Sequence, residues 1–160
     1  MKNASTMFLQ AVIVLIGIGA IALMLWEPHL EGRNVNASLV EIYFHDPFLA
    51  YAYFASIAFF IALYQAFKLL GYVGRNEVLW LPSLKALRTI KLCGIALVGF
   101  VIGAEAYIVF AVRGEDDIAG GVAIGLFLIF GSVVIASAAA VFERLVQSAL
   151  EMKSENDLTV

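Results

Sequence analysis

A chain of 160 residues that is 62% hydrophobic and only 14% charged is far more apolar than the roughly half-apolar average of soluble domains. Its mean hydropathy of +0.93 and net charge of -3 fit an integral membrane protein. Too little chain remains outside the apolar runs for a soluble catalytic domain, and direct nucleic-acid binding is not expected.

Four apolar runs appear in order: Met7 to Trp26, Phe48 to Leu70, Leu92 to Val112 and Ile118 to Phe142. Each approaches or exceeds the roughly 20 residues that a helix needs to cross a bilayer core of about 30 Å. The predicted fold is all-α, a polytopic antiparallel bundle of four transmembrane helices at about 7–26, 48–70, 90–112 and 118–142. One membrane domain covers residues 1–160, with a helical tail over 143–160. Lys2, the run from Phe8 and "AIA" at 20–22 also fit a signal peptide. The run continues through "LMLW" to a full span, however, so an uncleaved first helix is expected.

Cations set the orientation. With a cytoplasmic N-terminus the inner side carries Lys2, Lys68, Arg75, Lys85, Arg88, Lys91, Arg144 and Lys153, against Arg33 and Arg113 outside. Excess Lys and Arg mark cytoplasmic loops, so both termini are expected inside. Seven of the thirteen acidic residues fall in the two outer loops, but acids contribute little to this rule.

Boundaries are written in the local chemistry. Glu27 and Pro28 stop the first helix; "HDP" opens the second, with Asp46 placed to cap free amides and Pro47 at the first helical position. "GYVGRN" ends that helix. After Pro82, Ser83 is expected to cap the third, whose Lys85, Arg88 and Lys91 recur at helical spacing and can snorkel to anionic lipid. The turn "RGEDD" is short enough to make helices three and four antiparallel neighbours.

Small residues in "GIGAIA", "GFVIG", "GVAIG" and "ASAAA" allow close helix approach. Packing within one chain is the expected use, and a homo-oligomer the alternative.

Glu105 stands in the apolar stretch "FVIGAEAYIVF". It lies seven residues from the outer end of its span, and the same count on the other helices reaches Gly19, Ala55 and Gly125. Tyr51, Tyr53 and Ser56 lie at similar depth and are candidate hydrogen-bond partners; no Lys or Arg does. Desolvation favours the neutral acid there. One reading makes Glu105 a protonated carboxyl gluing helix three to helix two. The other makes it, with Tyr51, Tyr53 and Ser56, a proton or ligand site in a small outward-facing cavity.

Other chemistry is sparse. His29, His45, Glu27, Glu31 and Asp46 match no compact metal site, and histidines outside the spans do not suit a haem held between helices, so no metal or cofactor is expected. Tyr53, Phe60, Tyr64 and Phe67 read as a packing stripe rather than a quinone slot. The lone Cys93 rules out an intrachain disulfide. With no nucleophile–base pair and no phosphate loop, an enzyme is not expected. The tail "FERLVQSALEMKSENDLTV" places Leu145, Val146, Ala149, Leu150 and Met152 along one side of a helix, which suits a membrane surface or a soluble partner.

Five stretches carry a family resemblance: "IALYQAFKLL", "LKALRTIKLC", "GAEAYI", "AAAVFERLVQSA" and the terminal "KSENDLT". Over nearly the whole chain they resemble the small bacterial membrane proteins grouped as domain of unknown function 2975. Members of that family are often encoded beside a very small helix-turn-helix DNA-binding protein. The resemblance therefore implies the membrane half of a regulatory pair. On that basis the tail, through Leu145, Ala149, Met152, Glu155, Asn156, Asp157 and Leu158, together with the basic inner loop from Gly71 to Lys91, is expected to dock the regulator. The alternative is a small proton-linked transporter or ligand-sensing subunit using Glu105, although four helices without inverted repeats or broken spans make a poor transporter signature.

Overall fold

The computed structural model of the chain describes residues 2–30, 36–111 and 118–157. Its elements are α1 (Lys2–Trp26), a 3₁₀ turn (Glu27–His29), α2 (Leu39–His45), α3 (Pro47–Gly74), α4 (Leu81–Ala111) and α5 (Ile118–Asp157). Among the described residues there is no strand. Four of the helices are long and apolar enough to cross a membrane. Glu31, Arg33, Arg113, Leu158 and the "RGEDD" turn lie outside the described residues.

The helix ends show why the chain breaks where it does. Asp46 accepts hydrogen bonds from the amides of Phe48 and Leu49, and Pro47 takes the first helical position, as the "HDP" signal predicts. At the far end of α3, Asn76 adopts a positive φ of 58°, which turns the chain toward α4. The cap expected at Ser83 is corrected: α4 begins two residues earlier, at Leu81, and Ser83 sits fully buried within its first turn. Its Oγ donates to the Glu77 carbonyl, tying α4 back to the loop instead of capping the helix. The connection between α1 and α3 also holds an unexpected helix, α2. Ser38 and Glu41 close a reciprocal capping box at its start, and Ile42 anchors it at 1% exposure.

Helices pack in chain order: α1 on α3, α3 on α4 and, most extensively, α4 on α5. Among the described residues α1 and α5 share no comparable interface, so the long helices form a series with α4 near its middle. Each neighbouring pair is tied by a polar contact. Gln10 Nε2 donates to the Phe67 carbonyl and Tyr53 Oη to that of Met24, joining α1 to α3 at both ends. Tyr51 Oη donates to the Phe100 carbonyl at 2.9 Å, joining α3 to α4. Arg88 and Lys91 on α4 meet Glu143 on α5. These pairings run low numbers against high, so neighbours are antiparallel and both described ends of the chain lie on one side, termed here the terminal side.

The α4–α5 seam is a 3–4 repeat. On α5, Gly125, Ser132, Ala136, Ala139, Glu143 and Val146 fall at spacings of three, four or seven, and all but Ser132 are buried. Such spacing keeps one stripe on the partner along the whole length of contact. The backbones come closest at Gly94, where an added Cβ would lie 2.9 Å from the Ala136 Cβ and 3.1 Å from the Ser132 carbonyl oxygen.

By length, α4 and α5 exceed a bilayer. Forty residues make α5 about 60 Å long, roughly twice the hydrocarbon thickness. On the terminal side the start of α4 and the end of α5 therefore run on together beyond the span. Much of the deep burial on α4 and α5 falls there: Ser83, Ala86, Leu87, Ile90, Glu143 and Val146 are each 6% exposed or less, and within the span Ala139 on the seam is 5% exposed. Inside the span lipid covers apolar side chains; beyond it only protein can.

A Gly94→Val change should therefore destabilise the protein by about 1–3 kcal/mol through overpacking. Gly131→Ala, where an added Cβ meets nothing within 4 Å, should shift stability by less than about 1 kcal/mol. Thermal unfolding of the purified protein in detergent, followed by circular dichroism, compares the two.

Candidate functional site

Two carboxylates of the α4–α5 pair, Glu105 and Glu143, face the seam between these helices in opposite ways. Glu105, half-buried on α4, turns toward α5 and not toward α3. A Cβ added at Gly125 would overlap its carboxylate, so the glycine leaves the room that the acid fills. Glu105 Oε2 is buried without a hydrogen-bond partner. Of the two glycines counted to equal depth, Gly125 lies against the acid, while Gly19 has open space where its Cβ would be.

The hydroxyls expected near Glu105 are engaged elsewhere. Tyr51 donates to the Phe100 carbonyl and closes over Gly103, where an added Cβ would lie 2.6 Å from its Oη. Tyr53 donates to the Met24 carbonyl, and Ser56 Oγ to the Tyr53 carbonyl within its own helix. Helix contacts thus use the hydroxyls, and the glue between α3 and α4 is Tyr51 with the Phe48–Tyr107 stack, not Glu105.

Glu143, the second carboxylate, was not singled out by sequence reasoning. It stands one residue past the apolar run that ends at Phe142, in "AVFERL", where it reads as an ordinary end-of-span charge. Its exposure is only 6%; Oε1 accepts from Arg88 Nε at 3.2 Å and Oε2 from Lys91 Nζ. The signal available was spacing: Arg88 and Lys91 sit three residues apart on the helix that must run antiparallel to α5. Of the three basic residues expected at the lipid surface, the structure turns Arg88 and Lys91 onto Glu143 and leaves Lys85 exposed. The Lys91 hydrogen bond first, and then the charges of Lys91 and Arg88, hold the Glu143 carboxyl below its ordinary value of 4.5.

The proposed docking residues divide. Leu145 and Met152 are exposed on the α5 extension at 60% and 65%; Ala149 between them is half-buried, and Glu155 and Asn156 are exposed. Asp157 ends α5, and Leu158 lies outside the described residues. Among the described residues no three His, Cys, Asp or Glu side chains cluster in a way that could hold a metal ion.

Comparison with known proteins places this architecture. The family described as protein of unknown function DUF2975 matches residues 11–160. The chain belongs to this family. A curated relative from Bacillus subtilis, described as the uncharacterized membrane protein YoaS, is 42% identical over 164 residues, covering 100% of both chains. No solved structure matches. A relative described as a membrane protein accords with the four apolar helices: the DUF2975 chain is an integral membrane protein.

Because the folded Glu143 carboxyl titrates below its unfolded value, its contribution to stability is present above the unfolded value and is lost as pH falls through the folded one. The melting temperature should accordingly drop as pH is lowered through and below about 4.5, and Glu143→Gln should flatten that dependence while lowering stability at neutral pH. Melting curves of both proteins from neutral to acid pH measure it.

Proposed function

We infer that this protein is a non-enzymatic subunit of the bacterial cytoplasmic membrane, with both termini inside, that holds a small helix-turn-helix transcription regulator at the membrane surface. The observation that carries this reading is the unbroken continuation of α5 from the span to Asp157. A tail that merely ended a span would have no need of a helical register held on α4 by buried Val146 and by the Glu143 ion pairs. Leu145 and Met152, seven residues apart, stay exposed on that extension, and an apolar pair on a helix in water suits a helix-in-groove or groove-in-helix partner. Family resemblance supplies the class of partner; the geometry supports a rigid surface for it.

A second reading rests on the unpartnered, buried Glu105 Oε2. An intramembrane carboxylate without a cation suits proton binding, either as a sensing element linked to the α4–α5 seam or as part of a proton-linked transporter.

Affinity capture from membranes separates the two. The intact chain should retain a small DNA-binding protein, which a chain ending at Glu151 or carrying Leu145→Glu with Met152→Glu loses, while Glu105→Gln keeps it. Loss of function in Glu105→Gln with a dispensable tail would instead select the second reading.

A further inference from the structure

We propose that the terminal-side half of the α4–α5 interface is a binding site for one anionic phospholipid, with its phosphate at Arg88 and Lys91 and an acyl chain in the groove that leads away from them. An open groove of about 320 Å³ lies between the two helices, lined by Lys91, Ile95 and Val98 from α4 and by Val133, Ser137 and Ala140 from α5. Its composition is ordered along the membrane normal. Cationic Lys91 sits at the terminal-side end, and Val98, seven residues along α4, lies about 10 Å deeper in the bilayer. That order, a charge at headgroup level followed by an apolar trough, is the order of a phospholipid.

The groove exists because side-chain sizes differ across the seam. Gly94 lets α5 close against α4 at Ala136 and Ser132, and the small side chains of Ser137 and Ala140 then leave unfilled the space between Ile95 and Val133. Glu143 prepares the headgroup end. By accepting from Arg88 Nε and Lys91 Nζ it gathers Lys91, which lines the groove, and Arg88, one turn before it on α4, while the Arg88 side chain stays 69% exposed and Lys91 28% exposed. Two cations against one carboxylate leave a positive balance, and exposed Lys85, one turn before Arg88, adds to it. A guanidinium engaged through Nε keeps its other donors for a second oxyanion, which suits phosphate. A zwitterionic lipid brings an equal positive charge with its phosphate; an anionic lipid does not, so charge selects between them.

Native mass spectrometry of the full-length protein, released from detergent with added dioleoyl phosphatidylglycerol or dioleoyl phosphatidylcholine, tests the proposal. Phosphatidylglycerol should bind as a single lipid about tenfold more tightly than phosphatidylcholine. Ser137→Leu fills the trough without touching the charges and should abolish that preference. Arg88→Gln should reduce it severalfold, with circular dichroism verifying that both variants remain folded. Equal affinity for the two lipids would overturn the proposal, as would a preference that survives Ser137→Leu. Displacement of the lipid by excess glycerol phosphate would reduce the site to a headgroup patch and overturn the role of the groove. A second copy of the chain bound in place of lipid, seen as a dimer that Ser137→Leu dissociates, would overturn it as well.

Discussion

The close approach of α4 and α5 at Gly94 is the contact on which the rest of the structure depends. An added side chain there would meet Ala136 and the Ser132 backbone at once, so only glycine permits the spacing. With that spacing set, the 3–4 repeat of small and buried residues brings Gly125 over Glu105 at one end and Glu143 between Arg88 and Lys91 at the other. Dispersion between closely packed surfaces drives such association in lipid, where no hydrophobic force acts between helices. It falls off steeply with distance, which is why a single methyl group matters.

Two solvents explain the distribution of burial. Within the membrane-crossing part of α1 essentially nothing is buried, because lipid is as good a neighbour for Leu and Ile as protein is. Where α4 and α5 extend past the bilayer, apolar side chains face water, and Ala86, Leu87, Ile90 and Val146 are buried between them. The start of α4 and the end of α5 thus lie side by side there, each continuous with a span.

Polar groups are spent on the joints. Each pair of neighbouring helices carries a hydroxyl, amide or charge contact, and most of these groups donate to backbone carbonyls of the facing helix. Such bonds fix register between otherwise slippery apolar surfaces. Glu105 is the exception: it turns a carboxyl into the seam, and its Oε2 has no partner there. A buried polar atom without a partner is costly to hold in an apolar interface.

Much of this was legible along the chain. Apolar run lengths determined four spans, because the bilayer thickness is a fixed ruler; the Asp46–Pro47 start of α3 followed from orphan amides and a missing N–H; Gly125 was placed opposite Glu105 by counting depth. The capping box of α2 was also present in "SLVE", unread because a seven-residue helix leaves no hydropathy signal. What tertiary structure alone decided was partnership: which carbonyl each tyrosine hydroxyl reaches, that Glu105 faces α5 rather than α3, and that Arg88 and Lys91 both meet Glu143, some fifty residues away in sequence. Hydropathy measures how far each residue lies from water and carries no information on rotation about the helix axis. In a bilayer every face is equally covered by lipid, so that rotation is set only by which small residues let two backbones meet.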